Sequence, residues 1–179
     1  DPLYLSASYY DSGRLKASDS ELYIAGLRTR PTGATDWQRT VWELNARYDF
    51  KKGKKPLDPP AYSDSKAIVR LSYGEFHDTT STAGAAERAG NFGFIEGTYN
   101  LTKKTYAAGR FSFIELDNAV TASLNSVTAN TYDRYSLGMG YRWSDNTILK
   151  LGYDWNEESG PSTQESNNDL FSAIVSSQF

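Results

Sequence analysis

Hydrophobic and polar residues alternate along most of the chain, most clearly from Tyr135 to Trp143. Tyr135, Leu137, Met139, Tyr141 and Trp143 fall on one side of an extended strand, and Ser136, Gly138, Gly140 and Arg142 on the other. Successive strand side chains point to opposite faces, so a period of two predicts a β-strand with one apolar face. After the short break Ser144-Asp145-Asn146, the pattern resumes with Leu149, Leu151, Tyr153 and Trp155 opposite Lys150, Gly152, Asp154 and Asn156. Earlier, Trp42, Leu44, Ala46, Tyr48 and Phe50 alternate with Glu43, Asn45, Arg47 and Asp49, and Val69, Leu71 and Tyr73 alternate with Arg70, Ser72 and Gly74. Helical periodicity hardly occurs. The pattern predicts an all-β protein with about nine strands, at 3–10, 21–28, 40–50, 66–76, 92–101, 105–115, 132–143, 147–157 and 169–179, separated by clusters of Gly, Asp, Asn, Ser, Thr and Pro. Segments 3–10 and 21–28 carry the weakest alternation.

A soluble sandwich alternates as well, but three features point to an antiparallel transmembrane β-barrel. Aromatic residues gather near strand ends (Tyr48, Phe50, Tyr141, Trp143, Tyr153, Trp155), where amphipathic rings suit a membrane interface. Tight connections at 102–104 and 144–146 contrast with long polar ones at 77–91, 116–131 and 158–168, as periplasmic turns contrast with outer loops. Charges stand mid-strand on the polar faces, where an aqueous lumen tolerates them and a dry core does not. Counting back from a periplasmic C-terminus also puts 51–65 on the short-turn side, although it is long for such a turn and reads as a solvated basic loop, Lys51-Lys52-Gly53-Lys54-Lys55, followed by prolines. Nine strands cannot close a single-chain antiparallel barrel of this class, which has an even count. Either one of the strands is false, 3–10 or 21–28 being the weakest, or the chain is part of a larger barrel. We expect the second, a single β-barrel domain over 1–179 that forms the C-terminal part of a barrel of about 16–18 strands.

Composition agrees with this picture. Hydrophobic residues make up only 39% of the 179 residues, yet 13 Tyr and 8 Phe are present, as expected where only alternate strand residues meet lipid. No run of about 18 apolar residues predicts a membrane-crossing helix. The chain opens in strand-like sequence at Asp1-Pro2-Leu3, so either a leader was removed or the chain belongs to something longer. A net charge of −3 argues against a nucleic-acid binder, and the lack of cysteine removes disulfides and thiolate metal sites.

The hairpins Gly97 to Phe111 and Leu137 to Tyr153, with the ending Asn168-Asp169-Leu170-Phe171 running to Phe179, resemble those of large outer-membrane porins, nearest to the phosphate-selective porin O/P type and its relatives. The resemblance is good over 66–179 and loose over 1–65. It implies location in the bacterial outer membrane, contact with lipid and lipopolysaccharide, passage through the barrel-assembly machinery and a homotrimer. It also implies that the closing strand, through Phe171, Val175 and Phe179, is the assembly signal. Phosphate selectivity does not carry over, because no counterpart of the basic constriction loop is seen.

Strand parity names the candidate pore lining as Glu43, Arg47, Arg70, Glu96, Arg110, Arg134, Arg142, Lys150 and Asp154, with Asn45, Asp49, Ser72, Thr98 and Ser112 alongside. Such a wall either biases the channel mildly toward anions or has its Arg and Glu paired between neighbouring strands. His77 stands alone at the start of a loop, without partners for catalysis or metal binding. Glu157, Glu158, Glu165 and Asp169 form an acidic loop whose simplest reading is solvation. No hydrolase elbow, phosphate loop or zinc motif occurs, so no enzyme activity, metal or cofactor is expected. The expected function is a porin passing small polar solutes. The alternatives are a structural barrel, as a small anchor or a sheath around a partner protein, and a soluble lipocalin-like barrel binding an apolar ligand.

Overall fold

The computed structural model describes residues 2–16, 35–50, 65–84, 87–117, 131–144, 146–159 and 168–177. Their regular structure is entirely β: β1 Leu3–Lys16, β2 Asp36–Asp49, β3 Ala67–Thr79, β4 Arg88–Asn100, β5 Thr105–Leu116, β6 Thr131–Arg142, β7 Thr147–Ser159 and β8 Leu170–Ser177. The strands form one sheet in chain order, each antiparallel to the next. Among the described residues, β1 pairs only with β2 and β8 only with β7, so the sheet is open.

Among the described residues eight strands pair in this sheet, against the nine expected. The expected strand at 21–28 lies outside the described residues, and β1 pairs directly with β2 across that interval. The described sheet has an even number of strands, so the odd count it replaces carries no argument within it. Several strands also run further than expected. β2 begins at Asp36 and β3 and β4 extend to Thr79 and from Arg88, so the β3–β4 connection shrinks to 80–87 and His77 sits inside β3. The short turns appear where expected, at 101–104 and 143–146. In the first of them, Thr102 Oγ1 accepts from the backbone N–H groups of Lys104 and Thr105. The expected basic loop falls almost wholly outside the described residues.

The register assembles the alternating residues into two continuous faces. On one, Leu5, Ala46, Leu71, Ile95, Phe111, Tyr135 and Trp155 stand side by side from β1 to β7. The row through Tyr9 and Trp42 is apolar on β1 and β2 but carries Glu75, Asn91, Glu115, Thr131 and Ser159 on the following strands. Toward the short-turn end, the row of Tyr141, Leu149 and Val175 is apolar on the last three strands. The apolar band thus slides along the strands from β1 to β8, as a band of constant height does across tilted strands.

The opposite face holds what tight packing there is. Phe76 and Leu116 are buried toward the long-connection end, with Val41, Phe92, Ile114 and Tyr132 packed on them. Three rings on this face lie on glycines opposite them, and the buried Phe76 covers Gly90 with an added Cβ at 3.0 Å from the ring. Phe92 covers Gly74, where an added Cβ would come within 2.6 Å of the ring, and Tyr106 covers Gly140 more closely still. A side chain at Gly140 must push the Tyr106 ring away. Gly140→Val is therefore expected to lower the unfolding free energy in detergent by about 1–3 kcal/mol, the usual cost of overpacking. Gly97→Val, where a Cβ meets nothing within 4 Å, should be close to neutral. Equal costs would show that the ring–glycine fit contributes nothing.

Candidate functional site: the polar wall

All nine candidate lining residues lie on the face opposite the apolar band, and the register brings five of them into one row. Arg47 faces Arg70, Arg70 faces Glu96, Glu96 faces Arg110, and Ser136 separates Arg110 from Asp154. Glu43 and Arg134 stand toward the long-connection end of this row, and Lys150 and Arg142 toward the short turns.

Part of this charge is neutralised internally. Arg70 pairs with Glu96 at 3.1 Å across β3 and β4. Arg47 pairs instead with Asp49 of its own strand at 2.7 Å, and the Asp49 carboxylate is fully buried. Glu43 accepts a short hydrogen bond from the Ser72 hydroxyl. Arg142 donates to Asn100 Oδ1 at 2.6 Å and to the Lys103 carbonyl at 2.8 Å, so it braces the 101–104 turn as well as facing the wall. Arg110 lays its guanidinium 4.1 Å from the centre of the Phe94 ring, and Arg134 donates to Asn156 at 2.6 Å. Among the described residues, Arg110, Arg134 and Lys150 make no ion pair, and neither does Asp154. Pairing thus accounts for part of the wall and leaves Arg110, Arg134 and Lys150 exposed on it, with Asp154 half-buried.

Between these side chains lies a cavity of about 660 Å³. Two cross-strand rows line it. One runs Ser72, Phe94, Ser112, Arg134 and Asn156, and the next runs Phe92, Ile114, Tyr132 and Glu158, with Glu43 on β2 closing that side. Its floor is aromatic and aliphatic and its margins are polar.

The strongest charge cluster escaped the sequence reading. The Asp78 carboxylate accepts from Arg39 at 2.6 and 2.7 Å and from Arg88 at 2.6 and 2.8 Å, and all three side chains are buried. The Arg39 guanidinium also sits 5.3 Å from the ring centres of both Trp37 and Phe76. These residues keep the parity of Glu43, Arg70 and Glu96, so continuing the alternation past the expected strand ends would have found them.

Of the expected assembly residues, Phe171 and Val175 project from the apolar face of β8 opposite Tyr153 and Leu149, and both are exposed. Phe179 lies outside the described residues. His77 faces Thr40 and Ala89, and no group of three metal-ligating side chains occurs among the described residues. Of the acidic residues, Asp169 accepts from the Tyr153 hydroxyl and the Asn156 N–H, and Glu158 from Asn168, so these carboxylates tie residues 168–169 to β7. Glu165 lies outside the described residues. No known protein family, curated protein or solved structure matches the chain.

Proposed function

We propose that the chain is part of the wall of a bacterial outer-membrane porin, with the apolar face toward lipid and the charged face toward a water-filled path for small polar solutes. The observation that carries this reading is the exposed apolar band. Leu44, Leu71, Ile95, Leu137, Met139, Leu151 and Val175 are all open to the surroundings on one face. Apolar patches beyond a few hundred Å² are rare on soluble monomers and mark contact with a membrane or another protein. Aromatics border the band on both sides: Tyr9, Trp42, Tyr73 and Trp155 toward the long connections, and Phe50, Tyr99, Tyr141 and Trp143 toward the short ones, all exposed except the half-buried Trp42. From Trp42 to Phe50 the band is roughly 26 Å long, or roughly 20 Å tall at a tilt of about 40°, close to the apolar height of outer-membrane barrels.

The open edges favour a wall of a larger barrel over a small closed one. Tyr10 on β1 and Leu170 and Ile174 on β8 face the polar side and remain exposed at the two edges. In a closed eight-stranded barrel such inward side chains fill the interior. The same reading makes lipid, lipopolysaccharide and the assembly machinery the partners, and a trimer the assembly.

The protein should sediment with outer membranes until detergent is added and should migrate differently on gels before and after boiling. In planar bilayers it should then give steady ohmic conductance. A heat-modifiable membrane protein without conductance would overturn the porin reading and leave a structural barrel.

A further inference from the structure

We infer that the cavity on the polar wall is a binding subsite for neutral polyhydroxylated solutes, of saccharide type. The inference rests on reading this face as the solute path and adds a preferred solute to it. At about 660 Å³ the cavity is within the range of small-molecule sites, about 300–1,000 Å³. Its chemistry is mixed in a particular way. Phe92, Ile114 and Tyr132 form an apolar floor continuous with the buried Phe76 and Leu116. Around it stand donors, Arg110 and Arg134, and carboxylate acceptors, Glu43 and Glu158; Asp133 and Glu157 also border it but belong by strand parity to the opposite face.

Those margins select against net charge. A solute anion placed near Arg110 and Arg134 also meets Glu43 and Glu158, and a solute cation meets the two arginines. Neither sign is favoured at every margin. A neutral polyol uses both kinds of group, because its hydroxyls donate to the carboxylates and accept from the guanidinium groups. The C–H face of a sugar ring then lies on the apolar floor. Both arginines are already oriented, Arg110 by the Phe94 ring and Arg134 by Asn156, so less freedom is lost when they engage a ligand. The Tyr132 hydroxyl is covered and has no hydrogen-bond partner among the described residues, which leaves its capacity unused at the cavity wall.

Titration of the protein in detergent micelles with maltotriose, followed by saturation-transfer NMR, should give saturable binding in about the millimolar range expected of a shallow, wet site. Arg134→Gln should weaken it about fivefold, the worth of roughly one hydrogen bond. Ser112→Trp, which fills the cavity and replaces a side chain that holds no hydrogen bond or ion pair among the described residues, should abolish it. Lys150→Ala, on the same wall but outside the cavity, should leave it unchanged. Unaltered heat-modifiable migration certifies that each variant is folded. Absence of saturable binding, equal binding by the Ser112→Trp protein, or displacement of maltotriose by benzoate at lower concentration would overturn the inference. Conductance without saccharide binding removes the subsite alone, whereas saccharide binding without conductance removes the porin reading and keeps the subsite.

Discussion

Replacing Asp78 with Ala is expected to cost about 3–5 kcal/mol of folding free energy, the usual result of removing one partner from a buried ion pair. The cost is high because this carboxylate serves two cations. Arg39 and Arg88 both reach it at 2.6 Å, and the side chains of both are only 3% exposed. Without Asp78, two neighbouring guanidinium groups lose the charge between them while staying out of water. Arg39→Met should cost less, since Asp78 keeps Arg88 and the new side chain still packs on Trp37 and Phe76. Asp78→Asn keeps the shape and one acceptor and should fall between them. Urea unfolding followed by tryptophan fluorescence checks the order, with Trp37 as a reporter beside the cluster. A loss below about 1 kcal/mol for Asp78→Ala would mean that water reaches these groups and that this end of the wall is not packed. Against a total stability of about 5–15 kcal/mol, the expected loss is a large fraction.

That cluster also shows which parts of the molecule were legible in the sequence. Between Tyr135 and Trp143, or Trp42 and Phe50, the faces differ sharply in polarity, so parity alone assigns each residue to a side, and all nine lining candidates fall on one face. Toward the long connections the outer face turns polar, while the lining face mixes buried apolar residues such as Trp37 and Phe76 with charges. Gln38, Arg39 and Thr40, like His77, Asp78 and Thr79, show no hydrophobic alternation although they are strand residues, and strands read from hydrophobicity stop short there. Pairing was hidden for another reason. Arg70 with Glu96 and Arg39 with Asp78 depend on register between strands, which the packing of whole faces decides and no local pattern encodes. β8 stands between these cases. Phe171, Ala173 and Val175 continue the apolar face, but Leu170 and Ile174 interrupt the polar one, so its position at the edge of the sheet is clearer than its amphipathicity.

Met139→Arg puts the membrane reading at stake. Met139 is 53% exposed and stands on the apolar face between Tyr135 and Trp143, opposite Ala107 and Leu151. If that face meets lipid, an arginine here lies near the midplane and should cost about 2–4 kcal/mol when folding is measured into phospholipid vesicles. If the face meets water, the same change replaces one exposed side chain with another and should stay within about 0.5 kcal/mol. Ser159→Arg supplies the depth control. It lies on the same face at the polar end of β7, opposite Thr131, where the cost should be about 0–1 kcal/mol under the lipid reading. A steep difference between the two positions requires a medium that changes from polar to apolar over the height of the band. Two small and equal costs would place both faces of the sheet in water, and would remove the outer-membrane location and the channel together.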